Sequence, residues 1–308
     1  MQWDTMHSSL MPPFIVPPPL HEGGHLRIIA PSSPFDRHDF ERGVARLRTR
    51  YRVTFSEDID ARHGFLAGSD ARRRNELEDA IEDPDVDVIV AARGGYGAMR
   101  VAEQLQPEHV AAHPKLLVGL SDITALHALW ARARVASMHA SMINALGQVS
   151  DVAFSRWCAA LEGAPAVPLE GLDALGQARG VATGPLLGGN LALLAAMVGT
   201  PLAPPLEGAI LFLEDVGEAP YRLDRMLTQL RLSGALDGIA GILLGTFTQC
   251  DSVRDGIRAI SVLEERLTPL DVPILAGIPS GHGPEPLELR MGMPTKIDAD
   301  RGVVTFPR

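Results

Sequence analysis

Short apolar runs alternate with amphipathic stretches through the first half of the chain. Residues 26–30 form an apolar run that stops at the turn 31–34, and residues 36–50 follow with apolar positions at helical spacing. The same alternation continues to residue 139. It predicts strands at 51–55, 86–91, 116–120 and 135–139, and helices at 70–82, 97–106 and 122–133. Repeated strand–helix units of this length predict an α/β fold with a parallel sheet covered on both faces.

The alternation breaks at residues 163–182, which are rich in Gly, Pro and Ala. We interpret this segment as a linker between an N-terminal domain at 23–162 and a C-terminal domain at 183–308. The second half mixes both element types, with predicted helices near 188–198, 220–233 and 256–268 and strands at 208–213, 240–245, 287–290, 296–299 and 303–306. Residues 1–22 are rich in proline and predict a disordered extension.

Composition and charge narrow the class of protein. The 308 residues are 46% apolar and 21% charged, which is typical of a globular protein. The net charge of -10 argues against a nucleic-acid partner, and no apolar run reaches the ~18 residues that span a bilayer. The basic cluster Arg72–Arg74 is followed by acids, which is typical of a solvated helix face.

Cysteine usage and the N-terminal sequence bear on the compartment. Cys158 and Cys250 have no C-x-x-C partner, which argues against a metal site or a disulfide framework. Free thiols fit a reducing compartment, and the first residues lack the basic region and long apolar core of a signal peptide. We therefore expect a cytoplasmic protein.

A serine in a tight strand-to-helix turn is the strongest chemical signal. The predicted strand reaches Gly119, Ser121 follows two residues later, and an amphipathic helix starts without a loop. Such a turn exposes the hydroxyl and aims the first helical N–H groups at whatever it attacks. The match to the G-x-S-x-G elbow is partial, because Ile123 stands at the second glycine. The alternative is that Ser121 is an N-cap and that Asp122 favours the positive end of the helix.

Two more polar segments follow predicted strands, where ligands bind in open α/β sheets. The three glycines of Arg93–Gly97 allow a tight turn whose amides can hold a phosphate or an oxyanion. The spacing is not G-x-G-x-x-G and no Walker lysine follows, so a flexible turn is the alternative to a ligand site. Glu214 and Asp215 follow the strand 208–213 and could bind a metal, orient a histidine or cap a helix.

Among ten histidines, His282 is the leading candidate for a general base. It lies in a Gly- and Pro-rich stretch that cannot be helical, whereas His139 ends a predicted strand and His127 falls on a predicted helix. Ser121, Glu214 and His282 would supply a nucleophile, an orienting acid and a base. The acid and the base come from the second domain, so the active site would lie in the cleft between the domains.

Several ordered motifs resemble the L,D-carboxypeptidases of serine peptidase family S66, which also includes microcin-immunity peptidases. The resemblance spans about residues 26–306. Its motifs are Ile29–Ser32, Ala92–Gly97, Gly119–Thr124, Leu187–Leu191, Leu213–Asp215, Tyr221–Met226 and Ser280–His282. Two features depart from the family pattern: His139–Ser141 stands where a Gly-Pro pair is common, and the Pro-rich extension has no counterpart.

The resemblance implies an N-terminal α/β nucleophile domain, a more β-rich C-terminal domain and a homodimer. It implies that Ser121 is the nucleophile, that Glu214 orients the base His282, and that the amides of Asp122 and Gly95 hold the oxyanion. The implied reaction needs no metal or cofactor. It is hydrolysis of an L,D-peptide bond that releases terminal D-Ala from murein tetrapeptide in cell-wall recycling. The expected partner is a small muropeptide, with no nucleic acid or membrane.

Two other functions stay open. A microcin-immunity-type peptidase would cleave a peptide–nucleotide conjugate with the same three residues, although an aromatic content of 5% offers a nucleobase little to stack on. A non-catalytic two-domain binder of small ligands would need none of the three. Arg93 and Arg222 are both candidates to bind the substrate carboxylate, and the sequence does not rank them.

Overall fold

Two sheets organise the chain in a computed structural model, which describes residues 12–177 and 179–307. The first sheet contains β1 (His25–Ile29), β2 (Arg52–Thr54), β3 (Val88–Ala91), β4 (Leu116–Gly119), β5 (Ser137–His139) and β11 (Leu289–Met291). Their spatial order is β11-β5-β4-β3-β1-β2, and every pair is parallel except β11 with β5. The accompanying helices are α1 (Arg37–Leu47), α2 (Asp70–Glu82), α3 (Ala98–Ala102), α4 (Pro107–Ala112), α5 (Thr124–Arg132), α6 (Ile143–Leu146) and α7 (Asp151–Leu161).

The second sheet is mixed. It contains β6 (Asp173–Ala174), β7 (Val181–Asn190), β8 (Ile210–Val216), β9 (Gly241–Thr248), β10 (Ile274–Ala276), β12 (Pro294–Asp298) and β13 (Val303–Thr305), in the spatial order β13-β12-β7-β8-β9-β10-β6. The four strands from β7 to β10 are parallel, and antiparallel strands flank them on both sides. Its helices are α8 (Leu191–Met197), α9 (Pro220–Leu232) and α10 (Ala259–Leu267).

Burial follows the apolar pattern of the sequence. Strands β3 and β4 are buried at every position, because helices cover the first sheet. Phe40, Val44 and Leu47 of α1 are buried as their helical spacing predicts. The predicted fold class, a parallel α/β sheet followed by a mixed sheet, is confirmed. Within the described ranges, no helix is both long and apolar enough to cross a bilayer.

The predicted domain limits need two corrections. The segment 163–182 is not a plain linker, because β6 lies inside it and pairs with β10. Strand β11 falls in the predicted C-terminal domain but completes the first sheet, where Leu289 pairs with His139. Strands of two or three residues are too short to show a period of two. Residues 277–288, which connect β10 to β11, therefore pass from the second sheet to the first.

The Pro-rich extension is packed over its described part, residues 12–22, so the prediction of disorder is wrong there. The Ile15 amide donates to Arg134 O at 2.7 Å, and the Arg134 guanidinium lies 4.0 Å from the centre of the Phe14 ring. Leu20 is buried, and its amide donates to Leu161 O at 2.9 Å. Prolines lack an N–H, but these intervening residues still pair and bury apolar surface. Residues 1–11 of the predicted extension lie outside the described residues.

Candidate active site

His282 and Glu214 form a hydrogen-bonded pair between the two sheets. Glu214 lies on β8 with no solvent exposure, and its Oε2 accepts from Nδ1 of His282 at 2.7 Å. His282 lies on the segment that connects the two sheets. Gly281 precedes it with φ +118°, and a Cβ there would lie 2.7 Å from Oε2 of Glu214. Only glycine allows the loop to pass this close to the carboxylate.

The pair sets the charge state of the imidazole. Burial by itself lowers the pKa of His282, but the hydrogen bond and negative charge of Glu214, together with the charge of Asp215, outweigh burial. The net effect raises the pKa of His282 above its ordinary value of 6.5. The carboxylate therefore stabilises an imidazolium and fixes Nε2 as the nitrogen free to take up a proton.

Ser121 occupies a strained turn directly after β4. Its φ of 65° lies in the left-handed region, which costs a non-glycine residue about 1–3 kcal/mol. It begins a short 3₁₀ helix that leads into α5, and its side chain caps neither helix, so the N-cap interpretation is wrong. A Cβ on Gly119 would lie 2.8 Å from the side chain of Ile123. The isoleucine at the second glycine position of the G-x-S-x-G pattern therefore packs against the glycine at the first position.

Ser121 and His282 line the same open cavity of about 410 Å³. Gly94, Gly95 and Arg93 line it as well. The structure therefore brings a hydroxyl from the first half of the chain and an imidazole from the second half to one space, with Glu214 behind the imidazole. A hydroxyl, an imidazole and a carboxylate are the three groups that nucleophilic acyl transfer uses.

The glycine turn approaches the serine closely. A Cβ on Gly94 would lie 2.9 Å from Ser121 Cβ and 3.4 Å from the Asp122 amide nitrogen. Gly95 has φ +112°, and a Cβ there would lie 2.5 Å from Ser33 Oγ, which accepts a hydrogen bond from the Tyr96 amide at 3.1 Å. The turn thus requires glycine and places its backbone beside the nucleophile, as an oxyanion site would need.

The carboxylate of Asp122 ties the serine turn to the glycine turn. It is buried, and its Oδ2 accepts from the Ala98 amide at 2.8 Å and from Ser32 Oγ at 2.6 Å. Burial raises the pKa of Asp122, while these two hydrogen bonds oppose that rise. The sequence suggested only a helix-dipole role for this side chain. Its bridging role depends on a contact across 24 residues, which no local pattern reports.

Arg73 was also missed by the sequence interpretation. It has no solvent exposure, and it donates to Gly97 O at 2.8 Å, to Pro31 O and to the carboxylate of Asp70. The prediction that Arg72–Arg74 forms a solvated face is therefore wrong at its centre. The buried guanidinium instead braces the end of the glycine turn, because its donors satisfy carbonyls that the turn leaves free.

Of the remaining candidates, Arg93 lines the cavity, whereas Asp215 and Arg222 do not. Asp215 makes no hydrogen bond to a histidine of the described ranges. It accepts from Asn190 Nδ2 at 3.1 Å and from the Ala192 amide at 3.0 Å, and burial raises its pKa to about 6. It is the helix-capping acid of the pair. Arg93 lines the cavity and donates to Pro34 O at 2.7 Å. Arg222 does not line the cavity; it forms an ion pair with Glu218, four residues earlier, at 3.3 Å.

Neither of the other histidines lines the cavity. His127 is buried, with hydrogen bonds to Ser137 Oγ at 2.8 Å and Gly119 O at 2.9 Å. His139 is buried on the far side of Glu214. Across the part of the chain that the structure describes, no group of three or more His, Cys, Asp or Glu side chains is placed to hold a metal ion.

Family models match the two halves of the chain separately. The family model of the LD-carboxypeptidase N-terminal domain matches residues 26–140, and that of the C-terminal domain matches residues 183–297. The chain belongs to the LD-carboxypeptidase family S66. The resemblance inferred from the motifs is confirmed. The first match contains the serine turn and the glycine turn, and the second contains the His282–Glu214 pair.

Relatives within this LD-carboxypeptidase family cover nearly the whole chain. A putative carboxypeptidase of Synechocystis is 37% identical over 305 residues, which are 97% of this chain and 99% of the relative. The murein tetrapeptide carboxypeptidase of Pseudomonas aeruginosa is 31% identical over 290 residues, covering 90% and 94% of the two chains. The protein is therefore a member of a family of peptidases, which are hydrolases.

Solved structures agree with the fold. The muramoyltetrapeptide carboxypeptidase of Oxalobacter formigenes has a TM-score of 0.81 at 30% identity, with 91% of this chain and 97% of that chain covered. The microcin immunity protein MccF, solved with glutamyl sulfamoyl guanosine, has a TM-score of 0.85 at 21% identity, with 96% and 99% covered. At that identity the likeness to MccF shows the shared fold.

Proposed function

We propose that this protein is a serine-type LD-carboxypeptidase that releases terminal D-Ala from murein tetrapeptide during cell-wall recycling. One observation carries the proposal: Ser121 and the His282–Glu214 pair meet at one cavity, although each half of the chain supplies only part of the set. The murein and muramoyltetrapeptide carboxypeptidases among its relatives support the choice of substrate.

The geometry supports a two-step acyl transfer. Ser121 Oγ attacks the carbonyl carbon of the L,D bond and gives its proton to Nε2 of His282, while Glu214 holds Nδ1–H. The carbonyl oxygen becomes an oxyanion that the amides of Gly95 and Asp122 stabilise. His282 then protonates the leaving nitrogen and the C–N bond breaks. D-Ala departs, and the rest of the peptide stays bound to Ser121 as an ester. Water, deprotonated by His282, cleaves the ester and releases the tripeptide.

The pH dependence of kcat/KM follows from the base. His282 accepts a proton only when it is neutral, and its pKa is raised above 6.5. We expect kcat/KM to be low at acidic pH and to rise as the pH passes through this raised pKa, so the acidic limb lies above about 6.5. Steady-state rates of D-Ala release across pH measure this limb. A limb at pH 5 or below would contradict the assignment of His282 as the base.

Among the described residues that line the cavity, Arg93 is the arginine placed to bind the free carboxylate of the substrate. Arg222 lies elsewhere. We expect Arg93→Ala to raise KM roughly 10- to 100-fold, the value of a lost charge-assisted hydrogen bond. Arg222→Ala is the matched control and should leave KM unchanged. A tetrapeptide amidated at its C-terminus should be an equally poor substrate for wild type and Arg93→Ala; an Arg93→Ala enzyme with wild-type KM refutes the role.

The second candidate is cleavage of a peptide–nucleotide conjugate, which the shared fold with MccF favours. Such a conjugate carries a nucleobase that aromatic side chains bind by stacking. Both described tryptophans, Trp130 and Trp157, are buried in the core. Among the described residues that line this cavity, His282 carries the only aromatic ring. The cavity therefore favours a peptide substrate.

Mass spectrometry of the products distinguishes the candidates. The enzyme is incubated separately with a murein tetrapeptide that ends in D-Ala, with the same peptide ending in L-Ala, and with glutamyl sulfamoyl guanosine. We expect cleavage of the tetrapeptide that ends in D-Ala, with release of D-Ala, and no cleavage of the other two compounds. Cleavage of the nucleoside conjugate alone would replace the first candidate with the second. Tight binding of the tetrapeptide without turnover would support a non-catalytic binder.

A further inference from the structure

The carboxylate of Glu214 has two oxygens, and the proposed mechanism uses one of them. Oε2 accepts from His282, while Oε1 is buried and makes no hydrogen bond to any residue that the structure describes. Nε2 of His139 is also buried without a hydrogen bond to any described residue, and it lies 4.0 Å from Oε1. Both side chains have no solvent exposure. Two buried polar atoms of complementary type therefore face each other across the back of the site.

The fold holds His139 in this position from three sides. It lies on β5, where its backbone pairs with Gly119 of β4 and with Leu289 of β11. Its ring packs edge-on against Phe212 of β8, with 5.1 Å between the ring centres. The imidazole thus projects from the sheet of the nucleophile onto the strand of the acid, Glu214.

The surroundings decide which nitrogen carries the proton. Burial, reinforced by the nearby His127 and His282, lowers the pKa of His139 well below 6.5, so the ring is neutral and has one N–H. A proton on Nδ1 would turn the Nε2 lone pair toward a carboxylate and leave two buried acceptors unsatisfied, each costing about 1–3 kcal/mol. A proton on Nε2 supplies the donor that Oε1 lacks and leaves Nδ1 as the ring acceptor. Nδ1 faces Ser280 Oγ at 3.5 Å, while the Ser280 hydroxyl donates to Leu287 O at 2.8 Å.

We propose that His139 is a positioning residue that donates Nε2–H to Oε1 of Glu214 and so keeps Oε2 on His282. Glu214 then joins two histidines of different function: one transfers the proton of Ser121, and the other stays neutral and holds the acid. The inference rests on the proposed roles of Glu214 and His282. A hydrogen bond needs the two atoms roughly 1 Å closer, and catalytic hydrogen bonds tighten when the substrate complex forms.

Two amide substitutions separate orientation from mere packing. His139→Gln places an amide nitrogen near the position of Nε2, whereas His139→Asn places it near Nδ1, beside Ser280. With murein tetrapeptide we expect His139→Gln to keep kcat within a few-fold of wild type. We expect His139→Asn to lower kcat roughly 10- to 100-fold, the effect of losing one hydrogen bond to a charged group, with KM little changed.

The pH profile gives a readout that a packing defect would not move. The titratable groups that face His139 and Glu214 are His127 on α5, His282 on the connecting loop and Asp215 on β8. Without the donor that keeps Oε2 on His282, the hydrogen bond that raises the pKa of His282 weakens. The acidic limb of kcat/KM should therefore move to lower pH in His139→Asn and stay in place in His139→Gln.

A measurement on the wild-type protein tests the inference without substrate. The ¹⁵N shifts of the His139 ring, assigned by its loss in His139→Gln, report the tautomer. We expect an Nε2-protonated neutral ring from pH 6 to 9. An Nδ1-protonated ring, or equal kcat and equal acidic limbs in the two amide variants, would overturn the role of His139. Absence of tetrapeptide turnover in wild type would instead overturn the proposed function, and the tautomer would still be decided.

Discussion

Replacing Ser121 with alanine abolishes turnover of the murein tetrapeptide while the protein stays folded. The hydroxyl forms the covalent ester in the proposed mechanism, and loss of a nucleophilic serine costs on the order of 10⁴- to 10⁶-fold in kcat. Ser121 caps no helix, so its removal breaks no capping hydrogen bond. Single-turnover release of D-Ala measures the rate, and circular dichroism with denaturant unfolding checks the fold.

Ser121→Gly is the matched control for backbone strain. Alanine keeps the cost of the left-handed φ of 65°, whereas glycine adopts that conformation freely. The free energy of unfolding of Ser121→Gly should exceed that of Ser121→Ala by about 1 kcal/mol, and both variants should be inactive. Activity in either variant means that another group is the nucleophile, whatever the stability of the protein.

Glu214→Gln lowers kcat by roughly 10³- to 10⁴-fold, because an amide can present its NH₂ to Nδ1 and stabilise the wrong tautomer of the base. The substitution also removes the hydrogen bond and charge that raise the pKa of His282. The acidic limb of the residual kcat/KM should therefore move to lower pH, below that of wild type. Rates of D-Ala release across pH measure both effects.

Asp215→Asn is the control, since it removes a carboxylate from the neighbouring position on β8. Asp215 accepts from Asn190 and from the start of α8 rather than from a histidine. We expect a loss of stability of about 1 kcal/mol, a kcat within a few-fold of wild type and only a small shift of the acidic limb. A larger loss of kcat in Asp215→Asn than in Glu214→Gln would exchange the roles of the two acids.

Local patterns in the sequence predict most of the first sheet, because helices bury its strands on both faces and the buried runs are continuously apolar. Strand β3 and helix α1 end within three residues of their predicted limits, 86–91 and 36–50. Each candidate residue of the site could be proposed from its local sequence: Ser121 follows a strand, Glu214 belongs to an acidic pair and His282 lies in a glycine-rich loop. Their convergence could not be derived from spacing, because it depends on how the two sheets pack.

Long-range contacts explain what the sequence interpretation missed. Arg73 lies in a polar helix and is buried only because the glycine turn needs donors for its carbonyls. Asp122 bridges two turns through a contact that no periodicity encodes. Strand β11 belongs to the first sheet because it pairs with β5, more than 140 residues earlier in the chain, as Leu289 opposite His139 illustrates. Such features require the tertiary fold.

A crystal structure with a phosphonate analogue of murein tetrapeptide is the most direct test of the central claim, that Ser121 and the His282–Glu214 pair act on one substrate. The account predicts a covalent bond from phosphorus to Ser121 Oγ, with a phosphonyl oxygen about 2.7–3.1 Å from the amides of Gly95 and Asp122. The His282 imidazole should stay on Glu214. A phosphonate attached to another residue, or a His282 ring turned away from Ser121 in that complex, would contradict it.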